Sequence, residues 1–138
     1  MNPSLALLRQ AAPVLFITST LFVAPAMGAE ARVQVSARAT QIQISAEVET
    51  TVGRELAWEV LTDYDRWSEF VPDLYLSRIV SQPGEPLRVE QRGMVPWLPN
   101  FPLVILAEVE QIPPHLIRFR RIAGNLRALS GEWHIAGK

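Results

Sequence analysis

Residues 54–74 read RELAWEVLTDYDRWSEFVPDL, and their spacing differs from that of the sequence on either side. Leu56, Val60 and Leu61 recur at the spacing of one helix face, with a tryptophan close by. A pair of aspartates then breaks the pattern, and Pro72 ends a second short apolar face. The stretch therefore predicts two short helices that meet at a corner.

The flanking sequence alternates between apolar and polar residues, as half-buried antiparallel strands do. The clearest example is Gln41–Thr50, where the isoleucines share one face and the glutamates share the other. Further strands are predicted at residues 74–81, 87–94, 103–111, 116–122 and 126–135, with Gly and Pro turns between several of them. One early helical pair followed by a long meander predicts an α+β fold whose sheet has one apolar face.

The segment WEVLTDYDRWSEFVPDL resembles the helical pair of the START-like (SRPBCC) superfamily, especially its polyketide cyclase/dehydrase and coenzyme Q-binding branch. Three later pieces fit the same pattern: LRVEQRG at residues 87–93, IRF at 117–119 and GEW at 131–133. The resemblance covers residues 41–138. It implies a helix-grip fold, in which a curved antiparallel sheet carries two short helices after its first strand and a long C-terminal helix encloses a ligand cavity.

The same resemblance implies a seventh strand, which lies between the first and the sixth, as well as that long helix. Both would begin after Lys138, the last residue of the chain. We therefore expect residues 41–138 to be a START-like domain truncated at its C-terminus, with the Gln41–Thr50 strand lacking its partner. The alternative is that another chain supplies the cover.

The first residues have the three-part layout of a secretory signal peptide. Arg9 precedes an almost wholly apolar run over residues 11–26, and small residues such as Ala29 follow it. We expect residues 1–29 to be removed during export to the periplasm or the exterior, leaving residues 30–40 as a loose polar lead-in. An uncleaved membrane anchor is the alternative, although the run is shorter than the ~20 residues that a spanning helix needs.

The composition argues against several classes of function. The chain has no cysteine, so we expect neither disulfides nor thiol-based metal sites. Its two histidines lie far apart in the sequence, which argues against a zinc site. Its net charge of −1 gives no excess of positive charge that would favour binding to nucleic acid. We therefore predict no metal, no cofactor and no nucleic-acid partner, while the oligomeric state is not indicated.

A shared sheet face would supply the floor of a ligand cavity. Five apolar residues of two strands are expected to form that floor: Ile105, Ala107, Val109, Ile117 and Phe119. A loop with apolar tips would rim the cavity mouth, touch a membrane or simply pack on the helical pair; its residues are Met94, Trp97, Leu98 and Phe101. Gln91 and Arg121 are candidates for the polar contacts that orient a ligand. The other large aromatics are expected in the core: Trp58, Trp67, Phe70 and Trp133.

The predicted function is the binding or transport of a hydrophobic small molecule, such as a lipid, a quinone or a polyketide-like compound. A cyclase or dehydrase-type enzyme and a non-catalytic interaction module are the alternatives. No catalytic residue is predicted. The acidic residues at the helical corner are more typical of helix caps: Asp63, Asp65, Glu69 and Asp73. His134 is either a base in the cavity or a solvated strand residue.

Overall fold

The computed structural model describes residues 4–5, 10–12, 29–95 and 100–137 of the chain. Its elements in chain order are β1 (Ser4–Leu5), β2 (Gln10–Ala12), β3 (Ala29–Arg38), β4 (Gln41–Thr50), α1 (Arg54–Thr62), a 3-10 turn (Tyr64–Arg66), α2 (Trp67–Phe70), β5 (Leu74–Ile79), β6 (Leu87–Met94), β7 (Pro102–Ile112), β8 (Leu116–Gly124) and β9 (Ser130–His134). The predicted α+β class and the two short helices at a corner are confirmed, and the arrangement is consistent with the helix-grip fold.

The described strands form two antiparallel sheets. In the first sheet, β4 pairs along its whole length with β3 and over shorter stretches with β1 and β2. The second sheet is a meander in the order β5-β6-β7-β8-β9. Its strands lie within a few residues of the positions that the alternation predicts, because each turn carries its own Gly or Pro signal.

Two expectations for the first sheet are wrong. The segment expected to be a loose lead-in is largely the strand Ala29–Arg38, which forms a hairpin with β4 through a turn that includes Ala39 at φ 49°. The strand Gln41–Thr50 does not lack a partner either, because it pairs with β3 and with the two short N-terminal strands. Alternation in residues 31–38, with Val33 and Val35 on one face, is the signal that predicts β3.

The second sheet separates its side chains by chemistry. The side that we name the apolar face carries Leu74, Ser77 and Ile79 of β5, Leu87, Val89, Gln91 and Gly93 of β6, Leu103, Ile105, Ala107, Val109 and Gln111 of β7, Ile117, Phe119 and Arg121 of β8, and Gly131 and Trp133 of β9. The opposite side, the charged face, carries Arg78, Arg88, Glu90, Arg92, Glu108, Glu110, Arg118, Arg120, Glu132 and His134. This division follows from the two-residue period of a strand.

Helix α1 packs on the apolar face, but the side that it buries is not the predicted stripe of Leu56 and Val60. Ala57 is buried, and Trp58 and Leu61 pack against the core. Leu56 and Val60 are 53% and 46% exposed, so the prediction that they form the buried stripe is wrong. The spacing of apolar residues does not by itself determine which side of so short a helix contacts the sheet, because the connection to the 3-10 turn also constrains its orientation.

Tyr64 is the centre of the core beneath the helical corner. Its side chain is only 4% exposed and clusters with Val89, Val109 and Ile117 of the apolar face. Its hydroxyl oxygen accepts a hydrogen bond of 2.8 Å from the Gln111 side-chain amide. The sheet therefore satisfies the polar end of this ring while the apolar residues bury the rest.

Three of the four aromatics predicted in the core are found there. Trp58, Trp67 and Trp133 pack against the Tyr64 cluster, and the Trp67 ring lies 5.7 Å from the Tyr64 ring between centroids. Phe70 is 53% exposed, so its assignment to the core is wrong. It is the last residue of α2, just before the chain enters β5.

The acidic residues at the corner do not act as helix caps. Neither helix has a side-chain capping hydrogen bond, nor does the 3-10 turn between them. Asp65 instead accepts a hydrogen bond of 2.7 Å from the backbone N–H of Ile79, and Asp63 lies 3.6 Å from Arg66. The Asp65 contact ties the corner to the end of β5, so it supports the tertiary structure rather than a helix terminus.

We expect Tyr64→Phe to lower the free energy of unfolding by about 1 kcal/mol, because it removes the hydrogen bond to Gln111 and keeps the ring packing. Urea unfolding measures the change. Tyr75→Phe is the control, because Tyr75 is exposed and its loss of a hydroxyl should leave stability unchanged. Equal stability of the Tyr64→Phe variant and the parent protein would contradict the structural role of this bond.

The same residue predicts a dependence of stability on pH. Burial raises the pKa of Tyr64, and the hydrogen bond from Gln111 opposes part of that rise. The neutral phenol therefore stabilises the folded state fully below the unfolded pKa of about 10, and this contribution is lost as pH rises through the folded pKa. We expect the fall in unfolding free energy above about pH 10 to be smaller in Tyr64→Phe than in the parent protein.

Candidate ligand-binding site

The apolar face divides into a part beneath the helical corner and a part beside it. Val109 and Ile117 belong to the Tyr64 cluster, and Phe119 packs against it. Ile105 and Ala107 are also buried, at 4% and 7% exposure, but lie outside that cluster. The five predicted floor residues therefore share one face, as expected, although three of them are engaged by the corner.

Polar groups lie beside Ile105 and Ala107 on the apolar face. Ser77 is buried, and its hydroxyl accepts a hydrogen bond of 3.4 Å from the side-chain amide of Gln91. Arg121 is half-buried beside Ala107, its cross-strand neighbour. Of these three polar residues, Ser77 was not predicted from the sequence. The alternation of β5 is the signal that could have placed it on the same face as Gln91.

The Arg121 guanidinium is held by the backbone at the end of β8. Its Nη2 donates a hydrogen bond of 2.8 Å to the carbonyl oxygen of Gly124. Its Nε is buried and has no hydrogen-bond partner among the described residues. Nη1 has no hydrogen-bond partner among the described residues and is not buried, so it is the part of the guanidinium that a group placed over the face would meet.

Gly124 and Asn125 clamp this end of β8 onto β7. Gly124 adopts φ 123°, and a Cβ there would overlap the carbonyl oxygen of Val104. The Asn125 side chain accepts a hydrogen bond of 2.8 Å from the Val104 N–H and donates one to the Pro102 carbonyl. Glycine is therefore required where the strands come closest, and the clamp sets the position of the carbonyl that holds Arg121.

The predicted cavity rim is only partly described. Met94 is half-buried at the end of β6, and its N–H donates to the carbonyl oxygen of Asp73 at 2.9 Å. Phe101 is half-buried just before β7, and its carbonyl oxygen accepts a hydrogen bond of 3.3 Å from Val95. Trp97 and Leu98 lie outside the described residues, so their role at the rim stays a prediction.

The charged face is organised into ion pairs that cross neighbouring strands. Glu90 accepts hydrogen bonds from Arg78 of the neighbouring strand β5 and from Arg92 of its own strand, and these contacts, led by the hydrogen bond from Arg78, hold the pKa of Glu90 below its ordinary value. Arg120 pairs with Glu108 at 2.6 Å. Such exposed pairs contribute little to stability individually, but they keep this face hydrated.

A pocket of about 770 Å³ opens on the charged face. It lies where the start of β4 faces the strands β7, β8 and β9, and its lining comprises Gln41, Ile42, Gln43, Pro86, Glu108, Val109, Glu110, Arg118, Phe119, Arg120, Ser130, Gly131 and Glu132. Of the predicted floor, only Val109 and Phe119 contribute to it. It is therefore distinct from a site over Ile105 and Ala107.

His134 belongs to the charged face and is exposed. Its Nε2 lies 2.8 Å from Oε1 of Glu132, and this contact is the main reason why the pKa of Glu132 is lowered, with Arg118 adding to it. The alternative that His134 is a base directed at the apolar-face site is therefore wrong.

Two kinds of feature, a metal-ion cluster and a membrane-crossing helix, are not found in the part of the chain that the structure describes. Within residues 29–95 and 100–137, no group of three or more acidic or histidine side chains is arranged to hold a metal ion. None of the helices described is long and apolar enough to cross a membrane.

Comparison with known protein families gives a match over residues 50–138 to the family described as polyketide cyclase / dehydrase and lipid transport. The matched region contains α1, α2 and the whole second sheet. The chain belongs to this family, which is START-like and whose members bind hydrophobic small molecules. No curated protein and no solved structure gave a match.

We expect Gly124→Ala to destabilise the fold by ~3 kcal/mol, because the new methyl group meets the Val104 carbonyl in a backbone conformation that L-residues rarely adopt. Gly84→Ala is the matched control. Gly84 has φ 89° but open space around it, so only the backbone strain of about 1 kcal/mol applies. Thermal melting measures both changes. Equal losses of stability in the two variants would show that the close approach of Gly124 to Val104 does not require glycine.

Proposed function

We propose that the protein binds and carries a hydrophobic small molecule, such as a lipid, a quinone or a polyketide-like compound. The site is the part of the apolar face centred on Ile105 and Ala107. The observation that carries this proposal is that these two side chains share the face with the core but lie outside the Tyr64 cluster. The family to which the chain belongs supports a hydrophobic ligand.

The layout of the face suits such a ligand. Small-molecule sites are mostly apolar, with a few polar groups that set the orientation of the ligand. Here the apolar floor of Ile105 and Ala107 is flanked by Ser77, Gln91 and Arg121. A ligand could therefore lie with its apolar body on β7 and its polar end towards these three side chains.

Burial of apolar surface would supply most of the affinity. Each 100 Å² of apolar ligand surface removed from water contributes about 2.5 kcal/mol before the cost of ordering the ligand. An 18-carbon chain offers several such units, whereas a short polar metabolite does not. We therefore expect the affinity to depend more on the length of the apolar chain of the ligand than on the chemistry of its head group.

A larger side chain at Ala107 tests the proposed site, because it would occupy the space assigned to the ligand. We expect Ala107→Phe to reduce binding of a fluorescent fatty acid at least tenfold, because the added ring occupies the space assigned to the ligand. Val104→Phe is the matched control, because Val104 lies on the same strand but on the opposite face and is exposed. It should retain the affinity of the parent protein.

The melting temperatures of both variants separate the site from a plain core. Overpacking of a filled core costs roughly 1–3 kcal/mol. Lost binding in Ala107→Phe with the melting temperature of the parent supports the site. A destabilised Ala107→Phe variant, together with a parent protein that binds no fatty acid, would contradict the proposed function.

We also propose that the chain is exported and processed near residue 30. Processing there would remove β1 and β2 and keep almost the whole β3–β4 hairpin, so β4 would retain its longest pairing. Mass spectrometry of the exported protein is expected to find a new N-terminus between Ala29 and Arg32. An intact Met1 on membrane-bound protein would contradict export by cleavage.

A further inference from the structure

Arg121 differs from most arginines of the second sheet in its surroundings; Arg88 also lacks an ion pair among the described residues, but it lies on the charged face opposite Glu108. On the charged face, Arg78, Arg92, Arg118 and Arg120 each lie within ion-pair distance of a glutamate. Arg121 points to the other face, and no carboxylate among the described residues lies within ion-pair distance of it. Among the described strand residues of the apolar face, Arg121 is the only ionisable side chain.

The environment of Arg121 disfavours an uncompensated charge. It lies beside Ala107, and the face around it carries only apolar or uncharged polar side chains such as Gln91. Its single hydrogen bond, to the Gly124 carbonyl, uses Nη2 and leaves the buried Nε without a partner among the described residues. A half-buried guanidinium gains most from an anionic partner, because the low local dielectric strengthens the attraction.

We propose that Arg121 recognises an acidic head group, so that the ligand is an amphiphile with a carboxylate at one end and an apolar body. This inference rests on the proposed function, because it places the apolar body over Ile105 and Ala107. The head would accept a charge-assisted hydrogen bond from Nη1, while the bond from Nη2 to Gly124 keeps the guanidinium plane in place.

A carboxylate fits this arrangement better than a phosphate does. A phosphate monoester carries close to two negative charges near neutral pH and is generally held by more than one cationic or amide donor. The described strands place a single guanidinium on this face, and the nearest polar neighbours, Ser77 and Gln91, are uncharged. The single positive charge of Arg121 balances the single negative charge of a carboxylate head group, so the complex contains no unpaired charge.

The clamp at the end of β8 makes Arg121 a rigid recognition element. The positive φ of Gly124 and the hydrogen bonds between Asn125 and β7, one accepted from Val104 and one donated to Pro102, determine where the Gly124 carbonyl lies. That carbonyl in turn holds the guanidinium. Less side-chain freedom is therefore lost when the ligand binds, which favours selectivity for the head group.

The test compares three probes that share one chain: oleate, oleyl alcohol and oleyl phosphate. Isothermal titration is expected to show that the parent protein binds oleate at least about tenfold more tightly than the alcohol, and more tightly than the phosphate. Arg121→Gln should abolish the preference for oleate while keeping the affinity for the alcohol. Arg121→Lys should keep part of the preference, because it retains the charge but not the planar fork.

Arg92→Gln is the matched control. Arg92 lies on the charged face, and Glu90 keeps its contact with Arg78 after the substitution. This variant removes the same charge from the protein and should bind the three probes as the parent does. A similar loss of oleate preference in Arg92→Gln would show a general charge effect and would overturn the assignment to Arg121.

A second readout reports on the contact itself. Oleate labelled with carbon-13 at its carboxyl carbon can be titrated by NMR in the complex, where Arg121 should hold its pKa below that in Arg121→Gln. The pKa is read at the ligand and requires no assumption about affinity. An equal carboxyl pKa in the two proteins would overturn the inference, even if Arg121→Gln had lost stability.

The outcomes separate this inference from the proposed function. Equal binding of oleate and oleyl alcohol by the parent protein, or tighter binding of the phosphate, would overturn the acidic head group and leave the hydrophobic carrier intact. Binding of none of the three probes would overturn the carrier and the head-group assignment together.

Discussion

The contact of Tyr64 with the apolar face fixes the helical corner to the second sheet, and most of the molecule's organisation depends on it. The ring is buried by Val89, Val109 and Ile117, while its hydroxyl is satisfied by Gln111 at the end of the same face. Because the corner occupies this end, it fills one part of the apolar face and leaves the Ile105 and Ala107 part outside the cluster. The position of the proposed site is thus a consequence of where the tyrosine packs.

The charged face explains why only the opposite side of the second sheet is proposed to bind a ligand. Most of its glutamates and arginines form ion pairs, as Glu90 does with Arg78 of the neighbouring strand and with Arg92 of its own strand. Arg121 departs from this pattern, because the period of β8 places it on the apolar face without a carboxylate among the described residues. The same alternation that builds a simple two-sided sheet therefore isolates one cation where a ligand head group could use it.

The sequence predicts the strands of the second sheet well, because alternation and Gly or Pro turns are local signals. It also predicts that Ile105 and Ala107 share a face. It does not predict which side of α1 is buried, as Leu56 shows, because that depends on how the corner docks. Contacts between residues distant in sequence, such as the one between Tyr64 and Gln111, carry no local signal. The lack of an ion pair at Arg121 has no local signal either, because it depends on a register that places the glutamates of the described second-sheet strands on the other face.

The central claim is that a hydrophobic ligand lies on the apolar face beside the helical corner. Photo-cross-linking with a fatty acid that carries a diazirine in its chain tests this directly, because adjacent residues of a strand point to opposite faces. The account predicts labelling of alternate β7 residues, at Leu103, Ile105 and Ala107. Labelling concentrated at Glu108 and Arg120, in the pocket of the charged face, would contradict it.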